Sequence, residues 1–229
     1  MNAKNATIQY NDLSDFLSKH TATKSGNTNN ITHTRIGNQE LNVYGGSFSI
    51  QPDELQTFYR LYYEHTFVKN RKEYLTEKQL PDTGPILVDL DFRYSYDVDK
   101  RLHTNEHIQD LIQLYLEELK EMFVFESEKQ IPIFIMEKSG VNRVQKSDIT
   151  KDGIHMIIGI QMDRTMQLIL RDKIIAKIGE IWELPLINEW SDVLDAGISK
   201  GCVNWQMYGS QKPGYDAYKL TYYLTAEID

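Results

Sequence analysis

One cysteine, Cys202, stands among the 229 residues. A single thiol excludes an intrachain disulfide framework and a cysteine-based zinc site, and it suits a reducing compartment. No apolar run approaches the length of a membrane span, and the N-terminus has no apolar signal segment. Basic residues are the minority: 25 Lys and Arg against 33 Asp and Glu, a formal charge of −8. That balance argues against a broad basic face coating nucleic acid and leaves open an enzyme that holds nucleic acid locally. Internal repeats and a domain-splitting linker are also missing. What is present is core material, 41% hydrophobic and 11% aromatic, enough for one large domain or two intertwined subdomains. The chain reads as a single domain, with residues 1–45 an N-terminal extension and 46–229 the core.

Helical spacing appears around Leu13, Phe16 and Leu17, then from Pro52 to about Phe67, over 105–123 and over 163–182. On the third of these helices Glu117, Glu118, Lys120 and Glu121 make the solvent face. Strands are expected in 31–50, 85–92, 131–136, 153–160 and 218–225, with a long polar excursion from Glu137 to Asp152. The mixed order of strands and helices predicts an α/β or α+β architecture. Lys69, Arg71 and Lys72 read as a solvated helix end, with phosphate contact the alternative, and Trp205 and Tyr208 as core aromatics, with base stacking the alternative.

The stretch 85–93 is apolar apart from Asp89, Asp91 and Arg93. Strand alternation puts Asp89 and Asp91 on one face and Leu90 and Phe92 on the other. Two carboxylates so placed repel, and a divalent cation with a taste for oxygen ligands, Mg²⁺ or Mn²⁺, is their natural neutraliser. A second Asp-x-Asp, Asp97 and Asp99, has no apolar lead-in and reads as solvated loop. Further along come Gly153-Ile-His155 at a strand start, Leu194-Asp195, and the turn Gly209-Ser210-Gln-Lys212. Each alone has a plain structural reading.

Together and in this order they resemble the archaeo-eukaryotic primase superfamily, the primase–polymerases. The likeness is nearer to the N-terminal domain of fused primase–helicases of nucleocytoplasmic large DNA viruses. It is carried by Thr76-Glu77, the Val88-Asp-Leu-Asp-Phe92 strand, Asp152-Gly-Ile-His-Met-Ile157, and Leu194-Asp195 with Met207-Tyr-Gly-Ser-Gln-Lys212 after it, over about residues 45–225. Two positions depart from the pattern: Gly153 where Ser is common, and Gln206 near a place where relatives carry Arg.

The resemblance implies a two-part primase core, an RRM-like sheet plus a second αβ unit. It implies template-directed nucleotidyl transfer from NTPs or dNTPs on a single-stranded DNA template. Asp89, Asp91 and Asp195 would bind two Mg²⁺ or Mn²⁺ ions, and His155 would meet the nucleotide phosphates with Ser210 and Lys212. Lys138, Arg143, Lys146 and Lys151 are the candidates for the template backbone. A C-terminal helicase domain of the same longer chain, no membrane, and an intracellular setting, cytoplasmic or a viral replication compartment, complete the expectation. Two other readings remain open: an Mn²⁺-dependent nucleotide-sugar glycosyltransferase, which also uses Asp-x-Asp, and a non-catalytic RRM-like nucleic-acid-binding module.

Overall fold

The computed structural model describes residues 10–22, 31–125 and 129–228. The chain forms an α+β fold with two antiparallel sheets, and it divides into two compact units. Unit 1 is residues 1–78 with 206–214, and unit 2 is 79–205 with 215–229.

Unit 1 contains α1 (Leu13–Lys19), β1 (His33–Arg35), β2 (Gly46–Phe48), α2 (Leu55–Tyr63) and β3 (Leu75–Glu77). Asp12 caps α1 by accepting the Asp15 N–H at 2.8 Å. A 3₁₀ turn at Pro52–Glu54 leads into α2, and a π-helical turn, Glu64–Val68, ends it. Leu13, Phe16 and Leu17 pack with Phe48, Ile50, Phe58, Leu61, Tyr62, Leu75 and Met207 in one core. The described part of residues 10–45 therefore shares its core with 46–78 rather than extending away from it.

Unit 2 is built on β4 (Thr83–Ser95), α3 (Asn105–Met122), β5 (Lys129–Glu137), β6 (Asn142–Val144), β7 (Ile149–Asp163) and α4 (Arg164–Ile181). Two single-turn helices follow, α5 (Trp190–Val193) and α6 (Ala196–Ser199). The short strand β8 (Trp205–Gln206) joins the order β2-β1-β3-β8 in the first sheet, and β9 (Lys219–Ile228) completes the second. That second sheet runs β4-β7-β5-β9 with β6 attached to β7. Its connectivity, β4-α3-β5-β7-α4-β9, is a βαββαβ path. Val88, Leu90, Phe92, Ile133, Ile135, Ile154, Met156 and Ile158 face the helices and are nearly all sealed from solvent.

Three local expectations are corrected. Half of the polar excursion is strand: β6 lies within it, and β4 runs on to Ser95 and gives β7 a partner from Ile149 onward. Glu118, expected on the solvent face of α3, is fully buried and ion-paired to Lys173 and Lys177 of α4. Burial pushes its carboxyl up, but the two ammonium groups outweigh that and hold it below the usual range. Tyr208 is not core; it is 48% exposed.

His33 tests how dry the unit 1 core is. It is 1% exposed and stands edge-on to Phe58 at 4.8 Å. Burial pulls its pKa from 6.5 to about 4. The unfolded chain takes up this proton first, so the contribution is intact at neutral pH and is lost as pH falls below 6.5, levelling near 4. Between about pH 7 and 5 the loss from this one group is about 2 kcal/mol. Denaturant unfolding of His33→Gln should lose that much less than wild type over the interval. Equal losses would mean that the imidazole is not held neutral.

Candidate active site

The antiparallel register of β4 on β7 sets the site. Asp89 lies opposite His155 and Asp91 opposite Gly153. Paired residues share a face, so both acids and the histidine point away from the helices. His155 Nε2 stands 3.4 Å from Asp89 Oδ1. The imidazole is 7% exposed; it stacks on Tyr218 at 3.6 Å and 16° and meets Trp205 at 4.6 Å. Burial first, then the charges of Asp89, Asp91 and Asp152, raise the Tyr218 phenol well above its ordinary range. It therefore stays a neutral hydroxyl beside the acids. Asp91 has two cations near it, Arg93 at 3.5 Å and Lys151 at 3.9 Å.

Asp195 reaches the same place by a different route. β4 is an edge strand, and residues 187–195 run along its open side. The Ile187 N–H donates to Arg93 O at 2.9 Å, Asn188 Nδ2 donates to Asp91 O and Asn188 Oδ1 accepts from the Arg93 N–H, each at 3.0 Å, and Leu194 bridges Leu90. The Asp195 N–H donates to Asp89 O at 3.4 Å, and the two acids line one small cleft with Leu87, Val88, Leu194 and Ser199. Arg171 of α4 holds this segment, donating to Leu194 O at 2.7 and 2.9 Å and to Ser191 O at 2.7 Å. The Asp195 carboxylate accepts the Gly197 N–H at 2.7 Å, capping α6.

Among the described residues no three His, Cys, Asp or Glu side chains are grouped as a ready-made metal cage. The donor chemistry nonetheless suits a hard cation: three carboxylates, two adjoining on one strand face and the third delivered beside them. In their present arrangement Asp91 and Asp195 turn toward ammonium, guanidinium and amide donors, the partners an ion would replace.

Behind the site, on the core face of the sheet, lies a charged network. Asp152 accepts two bonds from Arg101, each at 2.8 Å, and one from the Gly153 N–H at 2.9 Å. Glu137 accepts from His103 at 2.7 Å and pairs with Arg101 at 3.1 Å. The His103 bond, then a Thr221 hydrogen bond and the Arg101 charge, hold the Glu137 carboxyl below its usual range despite burial. These ties pin the chain after β4 to both β5 and β7, directly under Gly153.

The remaining candidates divide. Lys138 lies over the rings of Tyr218 and Tyr215, at 4.9 and 5.6 Å. Arg143 is exposed, stacks on Tyr96 at 4.1 Å and donates to its carbonyl. Lys146 is exposed in the turn between β6 and β7. Lys151 sits beside Asp91, within the acidic site rather than in a separate basic strip.

Ser210 and Lys212 belong to unit 1. Ser210 is 1% exposed, and its hydroxyl pairs with Tyr62 Oη at 2.9 Å and accepts the Leu75 N–H at 3.0 Å. This hydroxyl, expected at a phosphate, is engaged inside the fold and fixes the turn. Lys212 is exposed. Gln206, standing near the position of an Arg in relatives, donates to Ser210 O and closes the same turn.

Gly153 has a physical reason. A Cβ there would lie 2.5 Å from Leu90 O and 2.8 Å from Tyr218 Oη. Since the carbonyl belongs to the acid-bearing strand and cannot swing aside, Gly153→Ala should destabilise the protein by about 1–3 kcal/mol. It should also perturb the Tyr218–His155 stack, visible as shifted imidazole resonances. Wild-type stability and unshifted resonances would mean that the strands are not this close.

Comparison with known proteins adds an independent line. A family model described as the C962R protein N-terminal AEP domain matches residues 37–224, which include Asp89, Asp91, His155 and Asp195. A protein of Acanthamoeba polyphaga mimivirus, "Putative helicase L207/L206", is 28% identical over 218 residues. The alignment takes in 91% of this chain, and the chain spans 22% of that relative's length. With the family model covering most of its length and the three motifs converging on one face of one sheet, the chain belongs to the archaeo-eukaryotic primase-type family of the C962R N-terminal domain.

Proposed function

We propose that this chain is the catalytic domain of a DNA primase or primase–polymerase. It joins NTPs or dNTPs into primers on a single-stranded DNA template with Mg²⁺ or Mn²⁺. The observation that carries the reading is the register: β4–β7 pairing sets His155 against Asp89, while the Leu90–Leu194 bridge brings in Asp195. Residues far apart in sequence thus form one acid and imidazole surface.

In this reading Asp89, Asp91 and Asp195 hold the two ions, whose chemistry when bound is to acidify a 3′-hydroxyl and to screen charge on the α-phosphate and pyrophosphate. The 3′-oxygen would form a bond to the α-phosphorus, the bond from that phosphorus to pyrophosphate would break, and the hydroxyl proton would pass to water. His155, braced by Tyr218 and Trp205, donates from Nε2 to a phosphate oxygen. Its ring plane is set by the Tyr218 stack and by Trp205, and the Nε2–H that now faces Asp89 is the one the phosphate would take over. Arg93 and Lys151 balance the acids between turnovers and meet the departing pyrophosphate or the template backbone.

The mimivirus relative is named a helicase and is much longer than this chain, so we also assign a helicase partner within a longer polypeptide. Tethering would raise the effective concentration of template at a domain with net charge −8. A viral replication compartment inside an infected cell fits that partnership. Among the described residues no helix is long and apolar enough to cross a membrane.

De novo synthesis and primer extension on single-stranded DNA, with labelled NTPs and dNTPs, test the proposal. Asp89→Asn/Asp91→Asn should lower the rate on the order of 10³-fold, the equivalent of losing several kcal/mol of charge stabilisation. Template-dependent product surviving in the double variant would overturn the assignment of the acids. If the wild type gave no product and bound neither Mn²⁺ nor nucleotide, the catalytic reading itself would fall.

A further inference from the structure

Unit 1 carries a cluster that the acidic site does not use. Tyr63 closes α2, and the next turn widens into a π-helix, with the Lys69 N–H reaching Glu64 O at 2.8 Å. Such turns often mark functional positions. Tyr63 stacks on Phe67 at 5.7 Å and 30°, and Phe67 stacks on Tyr208 at 5.6 Å and 19°. Three rings from two distant segments thus form one ladder, and it faces water: Tyr63 is 59% exposed, Phe67 43% and Tyr208 48%.

The ladder is built rather than incidental. The Tyr62 hydroxyl donates to Tyr208 O at 2.8 Å, and Ser210 ties the same turn to Leu75. Gly209 has φ +87°, and a Cβ there would lie 2.6 Å from Phe67 Cζ. Only glycine combines that backbone with that closeness.

Cations border the rings in sequence. Lys69, Arg71 and Lys72 follow the π-turn directly, Lys212 follows the Tyr208 turn, and all four are exposed. Among the described residues none of the four makes an ion pair. Unpaired positive charge beside exposed flat rings, in a chain of net charge −8, is complementary to a polyanion with unstacked aromatic faces.

We propose that this face binds single-stranded DNA, with bases stacked on the outer rings Tyr63 and Tyr208 that flank Phe67, and phosphates on Lys69, Arg71, Lys72 and Lys212. A duplex has no free base faces to offer such rings. The site deepens the proposed primase function by holding the template strand, and it rests on that reading only for the strand's role as template.

Fluorescence anisotropy with a labelled oligo(dT) of about 16 nucleotides tests it. Tyr63→Ala/Tyr208→Ala should weaken binding about tenfold or more, while Tyr63→Phe/Tyr208→Phe should keep it. Lys69→Gln/Arg71→Gln/Lys72→Gln should reduce the slope of log K against log salt by about 2, at about 0.7 per phosphate contact. Mn²⁺-dependent NTP binding should persist in all of these variants. Conversely, Asp89→Asn/Asp91→Asn should keep oligo(dT) binding, so failure of the catalytic reading and failure of this one are separately visible. If the alanine variant melts early, the Gln variant decides through its salt slope. Unchanged affinity in the alanine variant, or an unchanged slope in the Gln variant, overturns the proposal. So does sedimentation showing a wild-type dimer that the alanine variant converts to monomer, which would make the face a self-association surface.

Discussion

Like-charge repulsion between Asp89 and Asp91 is the constraint around which unit 2 is arranged. The two carboxylates share a strand whose other face, Val88, Leu90, Phe92 and Tyr94, is at most 3% exposed. The strand cannot relieve the repulsion by rotating, because turning the acids inward would turn the core outward. A slip of one residue against β7 would have the same effect. Relief comes from what is placed around the acids: Arg93 and Lys151 at Asp91, His155 at Asp89, and the neutral Tyr218 hydroxyl above Gly153. Arg93, Lys151 and His155 are positioned by strand pairing and Tyr218 directly precedes β9, so the arrangement is available before any ligand arrives.

The charged network under Gly153 belongs to the same economy of position. Arg101 and His103 come from the segment after β4, and Asp152 and Glu137 from the ends of β7 and β5. Burying His103, Glu137 and Asp152 carries a desolvation cost, and pairing them with one another and with the half-buried Arg101 offsets it only if the geometry is good. Here Asp152 is fully coordinated by a guanidinium and a backbone N–H. Removing one member would strand the others, which makes the network a determinant of a single strand register more than a source of net stability.

Much of this could be read from the residues. Period-two alternation identified the Asp-x-Asp strand and its two faces, and 3.6-residue spacing identified α3 and α4. The motif order identified the family. What escaped was whatever depended on contacts between elements remote in sequence. Glu118 lies within an acidic run and reads as solvent-facing; only the arrival of Lys173 and Lys177 from α4 makes its burial tolerable. Ser210 sits in a turn-like string, and nothing local reveals that Tyr62 and Leu75 consume its hydroxyl. Arg171 and Asn188, which hold the third acid in place, lie in segments without chemical motifs. The basic run Lys69–Lys72 has the look of an ordinary helix end until Tyr208 is seen stacked on Phe67.

The segment 187–195 runs beside β4 where a further strand would otherwise sit. An uncovered edge of that length is an invitation to pair with another chain, and proteins usually blunt it with charge, proline or a bulge. Here the cover is the same stretch that carries Asp195. Solubility and the geometry of the acidic site are thereby coupled: a variant that loosens the segment displaces one of its three acids and also opens a template for aggregation. Selection against precipitation would then guard the geometry of the site even in a chain whose chemistry was under no selection at all.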